Sequence, residues 1–209
     1  VAQFNCELAQ EAIIKSSYDK AKEFVATALD TNRKCVRANI LLGEVYYNQE
    51  DYTTAIQTWQ QIEKQNYQYL PLVLDKMFDA YLRIDKVKEG LTLIKGYATL
   101  FPQLNLHDVA YQKLANYDTP EATIEYLRSS LIHRPSAKVA ALIIDARAHI
   151  LEAQESKSDA ERIKNLLLRY NDKLSYYHCG CCSFKSKTFF WQCPACYSWE
   201  SLSPNNNEG

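Results

Sequence analysis

The sequence predicts an all-α superhelix of paired helices, followed by a small C-terminal β module built around a metal ion. Three observations carry this expectation. Apolar stripes at helical spacing recur in pairs with a period of 34 to 35 residues. Five of the seven cysteines lie between Cys179 and Cys196. The composition, 47% hydrophobic and 23% charged, is that of an ordinary globular chain, and its five glycines are too few for glycine-rich phosphate loops or a turn-rich β fold.

Ala21, Ala55 and Gly90 mark the period, each following a short polar break and opening an apolar stripe. The stretch "NILLGEVYYNQEDYTTAIQTWQQI" places Leu42, Gly43 and Tyr46 in a first helix and Ala55 and Trp59 in a second. That is the spacing of a tetratricopeptide unit. A third unit carries Met77, Phe78 and Tyr81, then Gly90, Ile94 and Pro102. The first unit is a weaker match, through Leu8, Ala9, Ala12, Ala21, Val25 and Ala28. A shorter fourth unit, about 104–135, has Ala122 and Tyr126 in its second helix, and a last pair is expected over about 136–153 and 158–172. Small residues let the helices of a unit approach, and large ones fill the gap to the next. An irregular helix bundle is the alternative, and the match of the second unit speaks against it. A tetratricopeptide array is therefore expected over 1–172. Its concave, partner-binding face is expected to carry Arg37, Glu44, Tyr47 and Asn48 from one unit and Asp75, Asp79 and Arg83 from the next. Both signs of charge appear, which excludes a purely acidic or purely basic ligand.

Cys179 and Cys182 form one C-x2-C turn, and Cys193 and Cys196 form a second, ten residues on. Two such knuckles present four thiolates tetrahedrally, as Zn²⁺ or a rubredoxin-type iron requires. These four are the expected ligands of a rubredoxin-like or zinc-ribbon module over 176–203, with Zn²⁺ expected and Fe the alternative. Cys181 cannot share a knuckle with Cys182, and His178 is read as a bystander. The intervening "SFKSKTFFWQ" is expected to form a β-hairpin, with Phe190, Trp191 and Trp199 as a miniature core. So small a module cannot hold itself by burial, and a structural metal contributes on the order of 10–16 kcal/mol in such modules. Cys6 and Cys35, in the repeats, read as small packing residues. The short junction Asn171–Tyr177 has no Gly or Pro, so the ribbon is expected to pack against the repeats.

The net charge is −1, which argues against a nucleic-acid footprint spread over the chain. No apolar run is long enough to span a membrane. An odd, clustered set of cysteines points to a reducing compartment and a metal rather than to a disulfide scaffold. Residue 1 is Val and the single methionine is Met77. The expectation is a fragment or processed chain with N-terminal sequence removed.

A repeat array that runs directly into a C-x2-C…CPxC module, with "WQCPACYSW", resembles the lipopolysaccharide assembly protein B family of Gram-negative bacteria. The resemblance covers the whole chain, and its specificity sits mostly in Cys179–Trp199. It implies an N-terminal transmembrane helix, repeats on the cytoplasmic side of the bacterial inner membrane and a metal module. It also implies an adaptor rather than an enzyme, one that brings the lipid A deacetylase to a membrane-anchored AAA protease. The family's metal thiols map onto Cys179, Cys182, Cys193 and Cys196. One departure is Ser183, where the family-like knuckle has Gly before Phe184 because the turn wants φ > 0. Two other readings compete. One is a nucleic-acid ribbon using Lys185, Lys187, Phe189 and Trp191, which two lysines and a neutral chain support poorly. The other is rubredoxin-type electron transfer, which no flavin or nicotinamide motif accompanies.

Overall fold

The computed structural model describes residues 1–133, 136–148, 161–169, 175–202 and 207–208. It divides into two compact units, Val1–Gly90 and Leu91–Gly209.

The first unit is a run of helix hairpins of the tetratricopeptide type: α1 (Ala2–Ile14) with α2 (Tyr18–Thr31), and α3 (Val36–Asn48) with α4 (Tyr52–Asn66). A 3-10 segment, Tyr67–Leu72, leads into α5 (Leu74–Arg83), and α6 (Val87–Leu100) begins before the unit ends. The repeat is written into the turns. Ser16, Glu50 and Asp85 each adopt a left-handed backbone, with φ of 54°, 62° and 58°. After each, the next amide reaches back to the last turn of the preceding helix: Ser17 to the Ala12 carbonyl at 2.8 Å, Asp51 to Tyr46 at 3.0 Å and Lys86 to Tyr81 at 2.9 Å. This closure satisfies carbonyls that a helix end leaves without partners. The Asp51 carboxylate then starts α4 by accepting from the Thr54 amide at 3.1 Å, which holds its carboxyl below the ordinary range.

Close approach within each hairpin rests on small residues. Ala9, Ala21, Ala28, Ala38 and Ala55 are fully buried. At Gly43 a Cβ would lie 2.2 Å from Trp59 Nε1, so the indole occupies the space a side chain would need. The same Nε1–H donates to the Ile40 carbonyl at 3.1 Å, which satisfies a fully buried donor. Gly90 is tight against Phe78 and Tyr81, both at 3.0 Å from a would-be Cβ. The expected first-helix and second-helix positions of the second and third units fall in α3 to α6, except Pro102, which opens a 3-10 turn beyond α6 because its ring cannot continue the helix.

The second unit continues with α7 (His107–Tyr117), α8 (Pro120–His133) and α9 (Ala137–Ala148), and a helical stretch over 161–169. The expected last pair, 136–153 and 158–172, lies partly outside the described residues. The α7–α8 turn differs from the others: Asp118 is extended, and Thr119 caps α8 through its hydroxyl to the Ala122 amide at 3.2 Å. Tyr111, Ile124, Leu127, Val139 and Ala146 form the buried cluster of these helices. Among the described residues, no helix is long and apolar enough to cross a membrane.

Two glycines give opposed expectations. Gly43→Leu overpacks the Trp59 contact and should cost about 1–3 kcal/mol, read as a lowered midpoint of thermal unfolding followed by far-UV circular dichroism. Gly96, inside α6, has nothing within 4 Å of a would-be Cβ. Gly96→Ala should therefore stabilise by about 0.5–1 kcal/mol, since glycine loses more backbone freedom on folding than alanine. A raised midpoint checks it.

Candidate metal centre

The cysteine segment folds as two small chain reversals. Strand β1 (Ser175–His178) pairs antiparallel with β2 (Lys185–Ser186), with Tyr177 opposite Ser186 and His178 opposite Lys185. β3 (Asn207–Glu208) lies on the other side of β1. The first knuckle, Cys179–Cys182, is the tip of the β1–β2 hairpin. The second, Cys193–Cys196, is the tip of a narrower reversal in which Gln192 bridges Trp199. This corrects the expected hairpin between the knuckles. A C-x2-C turn itself reverses the chain, so the pairing partners stand on either side of each knuckle.

The two knuckles repeat one hydrogen-bond pattern. The Cys179 amide donates to the Phe184 carbonyl and the Cys193 amide to the Ser198 carbonyl, both at 2.9 Å. The Ser183 amide returns to the Cys179 carbonyl and the Tyr197 amide to the Cys193 carbonyl, again both at 2.9 Å. The residue after each second cysteine is left-handed: Ser183 at φ 61° and Tyr197 at φ 58°. The first of these was legible from the missing glycine. The second was not, because a tyrosine gives no signal for a positive φ.

These turns bring the Sγ atoms of Cys179, Cys182, Cys193 and Cys196 within 4.8 Å of one another. Two edges of the cluster, Cys179–Cys196 and Cys182–Cys193, measure 3.8 and 3.7 Å. A tetrahedron with metal–sulfur bonds of about 2.3 Å has sulfur–sulfur edges of about 3.8 Å, so the donor set fits a single thiolate-bound metal ion. The environment already favours thiolate at two corners. The Ser201 hydroxyl, 3.3 Å from Cys179 Sγ, and the Cys181 and Cys182 amides hold the Cys179 thiol down at about 6. The Ser198 hydroxyl likewise lowers Cys196. At Cys182 the Phe184 amide favours the thiolate, but desolvation and the three neighbouring sulfurs outweigh it and push the thiol up to about 12. Cys181 points away, exposed.

The module's apolar cluster is Cys179, Cys193 and Leu202, with Tyr177, Phe184, Phe189 and Cys196 packed on it. Phe189 stands edge-on to both Tyr177 and Trp191, with ring centroids 5.9 and 5.3 Å apart. Phe190 and Trp199, expected in this core, are instead exposed at 37% and 39%. Phe189 takes the inner place through its edge-on contacts with Tyr177 and Trp191. The expected junction falls largely on 171–174, outside the described residues.

The residues expected on the partner face fall into two groups. Arg37 is 3% exposed and is a correction: its guanidinium is enclosed by Glu7 Oε1 at 2.7 Å and Gln10 Oε1 at 2.9 Å, so it belongs to the packing of α1 on α3. Glu44 is half-buried and paired with Lys76. The Tyr47 hydroxyl donates to Asp79, which raises the phenol's pKa, and Asp79 also accepts from Arg83 at 3.4 Å. Asn48, Asp75 and Arg83 are exposed.

Fold and site together define a helical-repeat protein of the tetratricopeptide type that carries a four-thiol metal-site module. No family model matches the chain. Over 208 residues it is 21% identical to lipopolysaccharide assembly protein B of Escherichia coli strain K12, and 21% identical to that of Haemophilus influenzae. These alignments cover 98% and 100% of this chain and 52% of each relative, so the chain spans about half the length of the curated relatives it matches. Similar solved structures include MamA 41-end from Desulfovibrio magneticus RS-1, with 12% identity and a TM-score of 0.45 over 82% of this chain and 96% of that one. A thermophilic TPR protein of Thermus thermophilus has 14% identity and a TM-score of 0.44, over 81% and 100%.

Reduced protein is expected to carry about one equivalent of zinc or iron by elemental analysis, as one four-thiolate site requires. Cys193→Ser should abolish that metal while leaving the far-UV helical signal nearly unchanged. Ser183→Gly should relieve a left-handed cost of about 1–2 kcal/mol, less the added chain entropy of glycine. The expected gain is about 0.5–1 kcal/mol, read as slower metal loss to a competing chelator.

Proposed function

We propose that this chain is a protein-binding adaptor acting in lipopolysaccharide synthesis, not an enzyme. The supporting observation is the end-to-end similarity, which runs through both repeats and thiol module, to relatives named lipopolysaccharide assembly protein B. In this reading the array occupies 1–172 and the metal module 176–203. Cys179, Cys182, Cys193 and Cys196 hold Zn²⁺, with Fe the alternative. The metal is a staple: it fixes the knuckles and the surface around them, since a core of so few side chains cannot do so. The partners are the lipid A deacetylase that commits material to synthesis and the membrane-anchored AAA protease that degrades it. The adaptor brings one to the other at the cytoplasmic side of the inner membrane. Glu44, Tyr47, Asn48, Asp75, Asp79 and Arg83 supply the repeat surface, and Arg37 supports it from beneath.

The test is retention of each purified partner on the immobilised, metal-loaded chain. Deacetylase retention should weaken for Asn48→Lys, an exposed site in the last turn of α3, with the unfolding midpoint measured beside it. A chain that retains neither protein, with both natively folded, overturns the reading.

A further inference from the structure

Two thiols stand apart from the metal cluster, and the metal reading gives them no role. Cys6, in α1, and Cys35, at the start of α3, are fully buried, and their Sγ atoms are 3.8 Å apart. We propose that Cys6 and Cys35 form a peroxide-responsive dithiol that closes to a disulfide, clamping α1 to the start of α3.

The surroundings distinguish the two sulfurs. Cys35 is the N-cap residue of α3, where the helix end favours negative charge. The Gln3 side-chain amide donates to its Sγ at 3.8 Å. Gln3 is in turn 3.5 Å from the buried Arg37 guanidinium, which Glu7 partly neutralises. The Cys35 backbone is fixed by its amide bond to the Asn32 carbonyl at 2.9 Å, so the sulfur is held toward α1. Cys6 has no helix end behind it, lying inside α1. Cys35 is therefore the attacking thiolate and Cys6 the resolving thiol.

Burial narrows the oxidant. Both sulfurs are closed even to water in the resting structure, so oxidation requires a local opening of α1 from α3; hydrogen peroxide, close to water in size, needs a smaller opening than a bulky disulfide. The Cys35 thiolate attacks one peroxide oxygen, and the O–O bond breaks. Hydroxide leaves, takes up the proton lost from Cys35 and becomes water. Cys35 is now a sulfenic acid. The Cys6 sulfur attacks it, the S–O bond breaks, and the departing hydroxide takes the Cys6 proton to form the second water. Two thiols are oxidised and one peroxide is reduced. A disulfide bond is about 2.05 Å long, so the sulfurs must approach by about 1.8 Å from their present contact. No long-range rearrangement is required, because the pair already touches.

The experiment treats reduced, metal-loaded protein with hydrogen peroxide, alkylates remaining thiols under denaturing conditions, and weighs the proteolytic peptides. The Cys6 and Cys35 peptides should be recovered joined, lighter by two hydrogens, and dithiothreitol should separate them. Dimedone added together with denaturant after the peroxide step, so that burial does not block it, should label Cys35 in Cys6→Ala and leave Cys6 unlabelled in Cys35→Ala at the same dose. Oxidised wild-type protein should melt above reduced protein, a difference absent from Cys6→Ala. Recovery of both residues as alkylated thiols after the exposed Cys181 is fully oxidised would overturn the proposal. So would their recovery as separate sulfinic acids, or joined to a cysteine of the metal module. The joined peptide is sought in the wild-type chain, so the proposal is decided even where a variant fails to fold.

Discussion

The indole of Trp59 fills the space that any side chain at position 43 would need, and much of the first unit follows from that contact. It brings α3 and α4 together at the one place where α3 has no Cβ. The approach buries Trp59 completely and aims its N–H at the Ile40 carbonyl, so close packing leaves no donor unsatisfied. Tyr47 rests beside the same indole, with ring centroids 5.9 Å apart, and its hydroxyl reaches Asp79 of α5. A contact inside one hairpin is thereby coupled to the register of the next. A pair of helices this close has little interior of its own, and its larger side chains must be covered by a neighbour. The repeated left-handed turns at Ser16, Glu50 and Asp85 set up that geometry each time.

The period was legible in the sequence because it is a local property. Small residues, helical stripes and polar breaks each act within a turn or two, and each recurs at the same interval. What escaped was what depends on distant partners. Arg37 sits at a concave-face position of the motif, yet Glu7 and Gln10 of α1 enclose it, and nothing near Arg37 in sequence announces them. Phe189 and Phe190 are adjacent aromatics, and Phe189 is the one that turns inward, against Tyr177 twelve residues earlier. The hairpin was misplaced for a related reason: alternation marks strand-like residues but does not say which side of a knuckle their partners occupy. The four converging thiols were legible, since the knuckle spacing alone confines them.

The module also shows how a site tolerates residues that its backbone disfavours. Ser183 and Tyr197 both take a left-handed conformation that costs a non-glycine residue about 1–2 kcal/mol. Each is held by the same amide-to-carbonyl bond back to the first cysteine of its knuckle. Strain of this kind persists where surrounding structure over-determines it. The sulfurs supply the complementary constraint. Hydroxyl and amide groups favour the thiolate at Cys179, while its neighbours oppose it at Cys182. Four thiolates at these distances repel one another, and a divalent or trivalent cation at the centre relieves that repulsion while fixing both turns.

The polar pairs along the first helices bear on how such a protein recognises a partner. Glu44 with Lys76, and Tyr47 with Asp79, join one repeat to the next, and Arg37 with Glu7 does the same one unit earlier. Each bridges residues about one repeat apart, so these side chains set the stacking of units as well as the chemistry of the face. A ligand that pairs with Asp79 must compete with Tyr47 and Arg83 already bound to it, and the displaced groups then need water or ligand in their place. A partner engaging this face would therefore need to present both a donor and an acceptor at each step rather than a single sign of charge. It also follows that a substitution at Glu44 or Asp79 disturbs the stacking of units, whatever it does to a partner. An affinity measured for such a variant has meaning only beside its unfolding midpoint. Asn48, exposed in the last turn of α3, is the cleaner position at which to ask whether this face binds a partner.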